Sequence, residues 1–402
     1  MTRDARRPWR HAAGAAGRPR DAAAIFFRSG LPFAISFRRQ AFRRARCVPP
    51  RSVSAHVPRP TLAVPAALVA AVVPALAAAQ PAAPAGPQPY GVGTPLGVTP
   101  PGPAGSAGRF EPTSANVTVF GAIHNAESCA YDAERGVIVV PNRAASQRVL
   151  ANDGFVSFVK HDGSVHTARW IGVQPPAARR TLTPPLTLND PFGSDIVGGV
   201  LYVADSDGNT TPDDPRAAVI RRFDLRTGAP AGEVRVAQAP WLNDLAVARD
   251  GTVYATRTGD FGPSGNPATW QVLKVAPDGA VSVFAEGAPL RMPNGVALDP
   301  QGNVVVANSG DSAVVTFSPA GRVLRTEFAA QAGSDGLVIM PDGTKYVSSV
   351  FQGGVSRLRP GRPTELIARG IPSAASMCYD AGANQLVIPM NQQNGLAFIK
   401  LR

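Results

Sequence analysis

The chain has 402 residues, with 40 Lys and Arg against 28 Asp and Glu, for a formal charge of +12. Residues 1 to 80 hold 14 Arg, no Lys and only two acids, Asp4 and Asp21, so 40 less 14 leaves 26 bases and 28 less 2 leaves 26 acids elsewhere. That neutral remainder excludes a groove built to neutralise phosphates, and with it a nucleic-acid partner; 40 Pro and only 7% aromatic residues argue against a helical bundle.

In chain order, the first 79 residues read as a leader. Residues 62 to 76, LAVPAALVAAVVPAL, are an apolar run followed by Ala77, Ala78, Ala79 and Gln80, the small-residue pattern of signal-peptide cleavage. Pro65 and Pro74 break the run, and it is too short for a stable membrane span of about 20 residues. Cleavage near Ala79-Gln80 and a periplasmic or secreted location are therefore expected. The Arg-rich stretch 1 to 55 is far longer than an ordinary signal start and reads either as an upstream mis-start or as a long leader. Residues 80 to 112 are Pro, Gly and Ala with almost no charge, a linker composition.

From 113 to 402 short runs of Val, Ile, Phe and Tyr alternate with turns such as Asp250-Gly251, Asp278-Gly279, Gln301-Gly302 and Asp342-Gly343, with no sustained helical period. A strand-turn-strand unit recurs six times, beginning AESCAYDAERG at 126, SDIVGGVLYV at 194, LNDLAVARDG at 242, PNGVALDPQGN at 293, SDGLVIMPDG at 334 and AASMCYDAGAN at 374. Two further strands follow each unit except the last, which has room for only one. Four strands repeated at about 40 to 50 residues predict an all-β, six-bladed β-propeller. The unassigned strand at about 115 to 122 is expected to close blade 6 as its outermost strand.

Counting back from the turn glycines aligns Asn243, Asn294 and Asp335 at the head of three inner strands, with Glu127 at the same place in blade 1 and Ala375 in blade 6. In blade 2 the head of the strand reads as Asp195, a further ligand, a support to the ligands, or a turn cap. Equivalent strand starts converge on the propeller axis. Carboxylates and carboxamides there, among apolar residues, would be unsatisfied without a hard cation. Oxygen ligands favour Ca²⁺, with Mg²⁺, Mn²⁺ and Zn²⁺ behind it.

These segments resemble the gluconolactonase, senescence-marker-protein (regucalcin) and luciferin-regenerating-enzyme family of six-bladed propellers over residues 115 to 402. The resemblance implies that Glu127, Asn294 and Asp335 bind a divalent cation, that Asn243 is a ligand or a substrate-side neighbour, and that Asp335 doubles as general base. It further implies hydrolysis of sugar lactones or other esters. Blade 1 departs from the family in its approach to the glutamate, which here is His124-Asn125-Ala126.

Strand direction puts the loops between second and third strands on the face of the ring residues, so Asn142, Arg143, Asp260, Asn308 and Asn391 are expected to contact a small-molecule substrate. His124, three residues before Glu127, is the candidate catalytic histidine. Cys129 and Cys378 lie one register step apart on neighbouring blades and are expected to be buried free thiols, with a disulfide as the alternative. A monomeric, metal-dependent lactonase or esterase is the main expectation. A non-catalytic propeller with a structural metal, or a condensing enzyme of the strictosidine-synthase kind, are the alternatives.

Overall fold

The structure is a computed structural model that describes residues 116–120, 123–143, 151–172, 174–208 and 213–402. The expected leader, cleavage site and linker lie outside the described residues, as does part of the loop after Arg143. Six four-stranded antiparallel sheets follow one another in chain order, which makes a six-bladed propeller. Blades 1 to 5 comprise residues 130–171, 194–236, 245–286, 293–328 and 334–368. Blade 6 is built from Cys378–Asp380, Gln385–Met390 and Gly395–Lys400, with the N-terminal strand Val117–Phe120 as its outermost member. Val117 pairs with Ile399 and Phe120 with Leu396, so the ring closes as the repeat count predicts.

Local chemistry sets the hairpins. In blade 3 the Asp250 carboxylate accepts from Thr252 N at 2.9 Å, and Gly251 takes φ +87°, a left-handed conformation in which a side chain would be strained. Blade 5 repeats the arrangement at Asp342, Gly343 and Thr344. Blade 2 differs: Val197 pairs directly with Val200 across Gly198-Gly199, both at positive φ, the two-residue turn that suits strand twist.

The strands are β-branched runs whose faces meet those of the neighbouring blades, so the apolar core is divided among the interfaces. Val137, Val139, Leu201 and Phe223 join blades 1 and 2, for example, while Val304, Val306, Tyr254 and Val272 join blades 3 and 4. Burial of each such side chain contributes about 1.5–3 kcal/mol.

The seam between blades 6 and 1 corrects one expectation. Cys129 and Cys378 are joined in a disulfide, with Cα atoms 5.5 Å apart. The reason is geometric. Blade 1 meets blade 6 through one sheet face and blade 6 meets blade 1 through the other, so the one-residue offset that looks like divergence directs both sulfurs into a single interface. Ile138, Val140, Val387 and Leu396 surround them.

Candidate functional site

Four inner strands start with the same pairing. Ala126 bridges Asn142, Pro293 pairs with Asn308, Ser334 with Ser349, and Ala374 bridges Met390. The next residues, Glu127, Asn294, Asp335 and Ala375, are therefore equivalent, as the sequence count has it. Blade 3 contributes Asn243, whose N–H donates to Thr256 O at 2.8 Å. In blade 2 the same bond runs from Phe192 N to Ala204 O. Phe192, and not Asp195, thus occupies the sixth position. Asp195 sits three residues further along its strand, with one carboxylate oxygen accepting from Ile196 N at 2.7 Å and the other from Val247 N at 2.8 Å. It lines a separate cavity of about 460 Å³ together with Asp244, Ser376 and Tyr131.

Small or polar residues follow each ring position because adjacent blades touch backbone to backbone at the axis. A Cβ on Gly295 would lie 2.1 Å from Asp335 O, and one on Gly193 would lie 2.4 Å from Asp244 Cα. Asp244 fills the same slot in blade 3 and accepts from Val296 N at 3.1 Å in blade 4. Ser376 of blade 6 reaches that carboxylate at 3.4 Å, which ties opposite blades together beneath the ring. Burial, with repulsion from Asp195 and Glu127, pushes the Asp244 pKa up to about 7 against its backbone donors.

All four expected ligands are buried. Asn294 Nδ2 donates to Asp335 Oδ2 at 3.0 Å, and Asn243 Nδ2 donates to Thr258 Oγ1 at 3.0 Å. These bonds orient the carboxamides and leave Oδ1 of Asn243, Asn294 and Asp335 buried without a donor, on three consecutive blades. A buried acceptor without a partner costs about 1–3 kcal/mol, so three together favour a cation that all can share. Glu127 is held by Asn391 Nδ2 and faces Arg143 Nη1 at 3.8 Å. Burial raises the pKa of Asp335 well above the ordinary carboxylate range, and the nearby charges of Glu127 and Asp244 raise it further while the Asn294 bond opposes them. Glu127 is also raised by burial, against the pull of Arg143 and Asn391. No group of three or more His, Cys, Asp or Glu with metal-binding geometry occurs among the described residues. A cation here would rest on a mixed carboxylate and carboxamide set.

The other expected contacts fall into two groups. Arg143 forks onto Asp190, Nε to Oδ1 at 2.7 Å and Nη2 to Oδ2 at 3.2 Å, and its guanidinium lies 3.8 Å from the Phe192 ring centroid. Arg216 Nη2 holds the same carboxylate at 2.6 Å. Asn142 Oδ1 accepts from His124 N, and its Nδ2 donates to Val140 O and Ser157 Oγ. Asp260 accepts from Asn266 N within its own loop, and Asn308 Nδ2 donates to Pro289 O. Asn391 alone of the five hydrogen-bonds a ring residue, while Arg143 pairs with Glu127 at 3.8 Å and lies over Phe192. His124 is exposed at the rim, its ring edge against Phe155 at a 6.1 Å centroid separation. Burial of that edge and the charge of Arg169 lower its pKa.

Sequence reasoning missed Asp190, Arg216, Phe192 and Trp241. Phe192 stacks on Trp241 at 5.4 Å, and Trp241 on Phe261 at 6.4 Å. The clue available was the Asn189-Asp190-Pro191 turn signal, which places a carboxylate at the end of the long connection without revealing its partners.

Residues 199–389 match the family described as SMP-30/gluconolactonase/LRE-like region. Among solved structures, the chain is similar to a gluconolactonase of Xanthomonas campestris at 19% identity and a TM-score of 0.49, covering 78% of this chain and 99% of that one. It is also similar to a structural-genomics target described as a candidate gluconolactonase, at 16% identity and a TM-score of 0.48, covering 71% and 93%. No curated protein matches the chain.

Proposed function

We propose that the chain, whose residues 199–389 match the SMP-30/gluconolactonase/LRE-like family, is an exported, divalent-metal-dependent hydrolase of lactones or esters. The observation that carries this reading is the trio of donorless oxygens on Asn243, Asn294 and Asp335, set beside the buried Glu127. These four residues would hold the cation, with Ca²⁺ the best match to an all-oxygen set and Mg²⁺, Mn²⁺ and Zn²⁺ after it. Such a cation, when bound, supplies polarisation of the substrate carbonyl and stabilisation of the developing oxyanion.

The chain's own residues divide the remaining work. Asp335 would take the proton of the attacking water at Oδ2, the oxygen that Asn294 orients, because Oδ1 is the one that faces the cation. Glu127 is a fixed counter-charge, anchored by Asn391. Arg143, with Nε and Nη2 locked on Asp190, presents Nη1 toward Glu127 and so is the cation nearest that carboxylate for a substrate oxygen to meet. Export is supported by the sequence of the leader and by the Cys129–Cys378 disulfide, a bond that persists in oxidising compartments.

The test is hydrolysis of aldonolactones, aliphatic lactones and aryl esters by protein stripped with a chelator and then given Ca²⁺, Mg²⁺, Mn²⁺ or Zn²⁺ in turn. Turnover that disappears on stripping and returns with one cation upholds the proposal. Turnover indifferent to stripping would remove the metal, and no turnover with any substrate would leave a binding propeller.

A further inference from the structure

A sugar lactone presents several hydroxyl groups, and each must meet a polar partner when it leaves water. Asn142 has both ends of its carboxamide engaged, and Asp260 holds its own loop together: besides accepting from Asn266, its backbone N donates to Thr269 Oγ1 and its backbone O accepts from Trp270 Nε1. Two of the three nitrogens of Arg143 are fixed on Asp190, and Asn308 donates inward to Pro289. Oδ1 of Asn308 and Oδ1 of Asn391 remain as acceptors without a donor, and few donors remain to grip a polyol.

The mouth instead carries apolar surface. An aromatic rail starts at Phe192, the ring position of blade 2, and continues through Trp241 to Phe261. Phe261 opens on a cavity of about 380 Å³ whose other walls include Met292, Gly310, Gly333 and Phe351. Met292 and Gly333 stand two residues before Asn294 and Asp335, so this cavity adjoins the oxygen ring. Phe351 packs against Gly333, where a Cβ would come within 2.5 Å of its ring. Of the cavity's polar walls, Ser309 Oγ donates to Met292 O and Gln352 Nε2 reaches Ala332 O, and the exposed Arg291 is the one charged side chain in the lining. Phe261 and Phe351 are 62% and 53% exposed, although both line the same hollow. Large aromatic side chains left open around a cavity mark a surface that a ligand covers.

We propose that the substrate carries an apolar chain: the site takes lactones or esters with an aliphatic or aryl substituent, which lies in the cavity between Phe261 and Phe351. This inference rests on the hydrolase reading above and narrows its substrate class away from sugar lactones.

The experiment compares kcat/KM for γ-butyrolactone, γ-hexanolactone, γ-octanolactone, γ-decanolactone and D-glucono-δ-lactone, in the wild type and in the Phe261→Ala/Phe351→Ala double variant. In parallel, calorimetry measures binding of γ-decanolactam, which is not hydrolysed. Each CH2 buried in the cavity raises kcat/KM by about fourfold until the hollow is filled. The decanolactone to butyrolactone ratio of the double variant falls at least about tenfold. A flat series, a preference for gluconolactone, or a ratio unaffected by the double variant overturns the inference. Should no lactone be hydrolysed, γ-decanolactam binding that weakens at least about tenfold in the double variant upholds the apolar site and discards only the hydrolase reading. Absence of lactam binding in that case overturns the inference as well.

Discussion

Removal of the Cys129–Cys378 disulfide perturbs the ring at the seam where its two ends meet. The bond spans 249 positions, so in the unfolded chain it closes a loop that takes in most of the propeller. Loop-closure entropy for that length corresponds to about 5.5 kcal/mol at 25 °C, a ceiling that residual structure in the unfolded chain lowers toward about 2 kcal/mol. The ceiling equals roughly four decades in the unfolding equilibrium constant. Equilibrium denaturation with urea, monitored by tryptophan fluorescence, measures it. Oxidised wild type is compared with wild type reduced under denaturant and with the Cys129→Ala/Cys378→Ala variant. Both reduced forms are expected to unfold at lower urea, the Ala variant somewhat lower still because it also loses sulfur packing among Ile138, Val140, Val387 and Leu396. A loss under about 1 kcal/mol on reduction would refute the reasoning. So would an unreduced mass showing both thiols free.

Asp335→Asn removes a buried carboxylate that both Glu127 and Asp244 repel, so the metal-free variant is expected to melt at or above the wild-type temperature while losing the stabilisation by added Ca²⁺. Differential scanning fluorimetry with and without cation reads both effects, and an Asn variant still stabilised by cation would exclude Asp335 as a ligand. Arg143→Met leaves Asp190 with Arg216 alone and Glu127 without a facing cation; breaking this buried network is expected to destabilise by about 3–5 kcal/mol in urea titration. Gly295→Val places side-chain atoms against Asp335 O, and circular dichroism should show a protein that fails to fold or melts far below wild type. The His124 imidazole is a base whose pKa is lowered in the fold, so its contribution to stability is present above the ordinary histidine value of about 6.5 and declines as pH falls through that value. NMR titration of the ring protons should give a midpoint below the ordinary value, and one above it would contradict the packing against Phe155.

Blade number, strand order and closure by the N-terminal strand were legible because each rests on local chemistry: β-branched runs, Asp-Gly turns and a repeat length. Five of six ring positions followed from counting back along the inner strands from their turns. Blade 2 escaped the count because its Gly198-Gly199 turn is shorter, so Asp195 stood where the fold has Phe192. The disulfide was misjudged because parity along a strand does not specify which blade each sheet face meets. Side-chain commitments were the least visible. Arg143 and Asp190 are 47 positions apart, and only the folded connection shows that the guanidinium is already engaged.

The pairing of Val117 with Ile399 places the first and last strands of the propeller side by side. Every ring residue, meanwhile, stands at the head of an inner strand and depends on its neighbours across blade interfaces rather than on the order in which the chain visits them. The blades could therefore be threaded from a different starting point, with the present ends joined and a new opening made in an exposed connection such as 318–322, and the same oxygens would still meet on the axis. In this molecule the beginning and end of the chain are a property of the gene, and the site belongs to the circle.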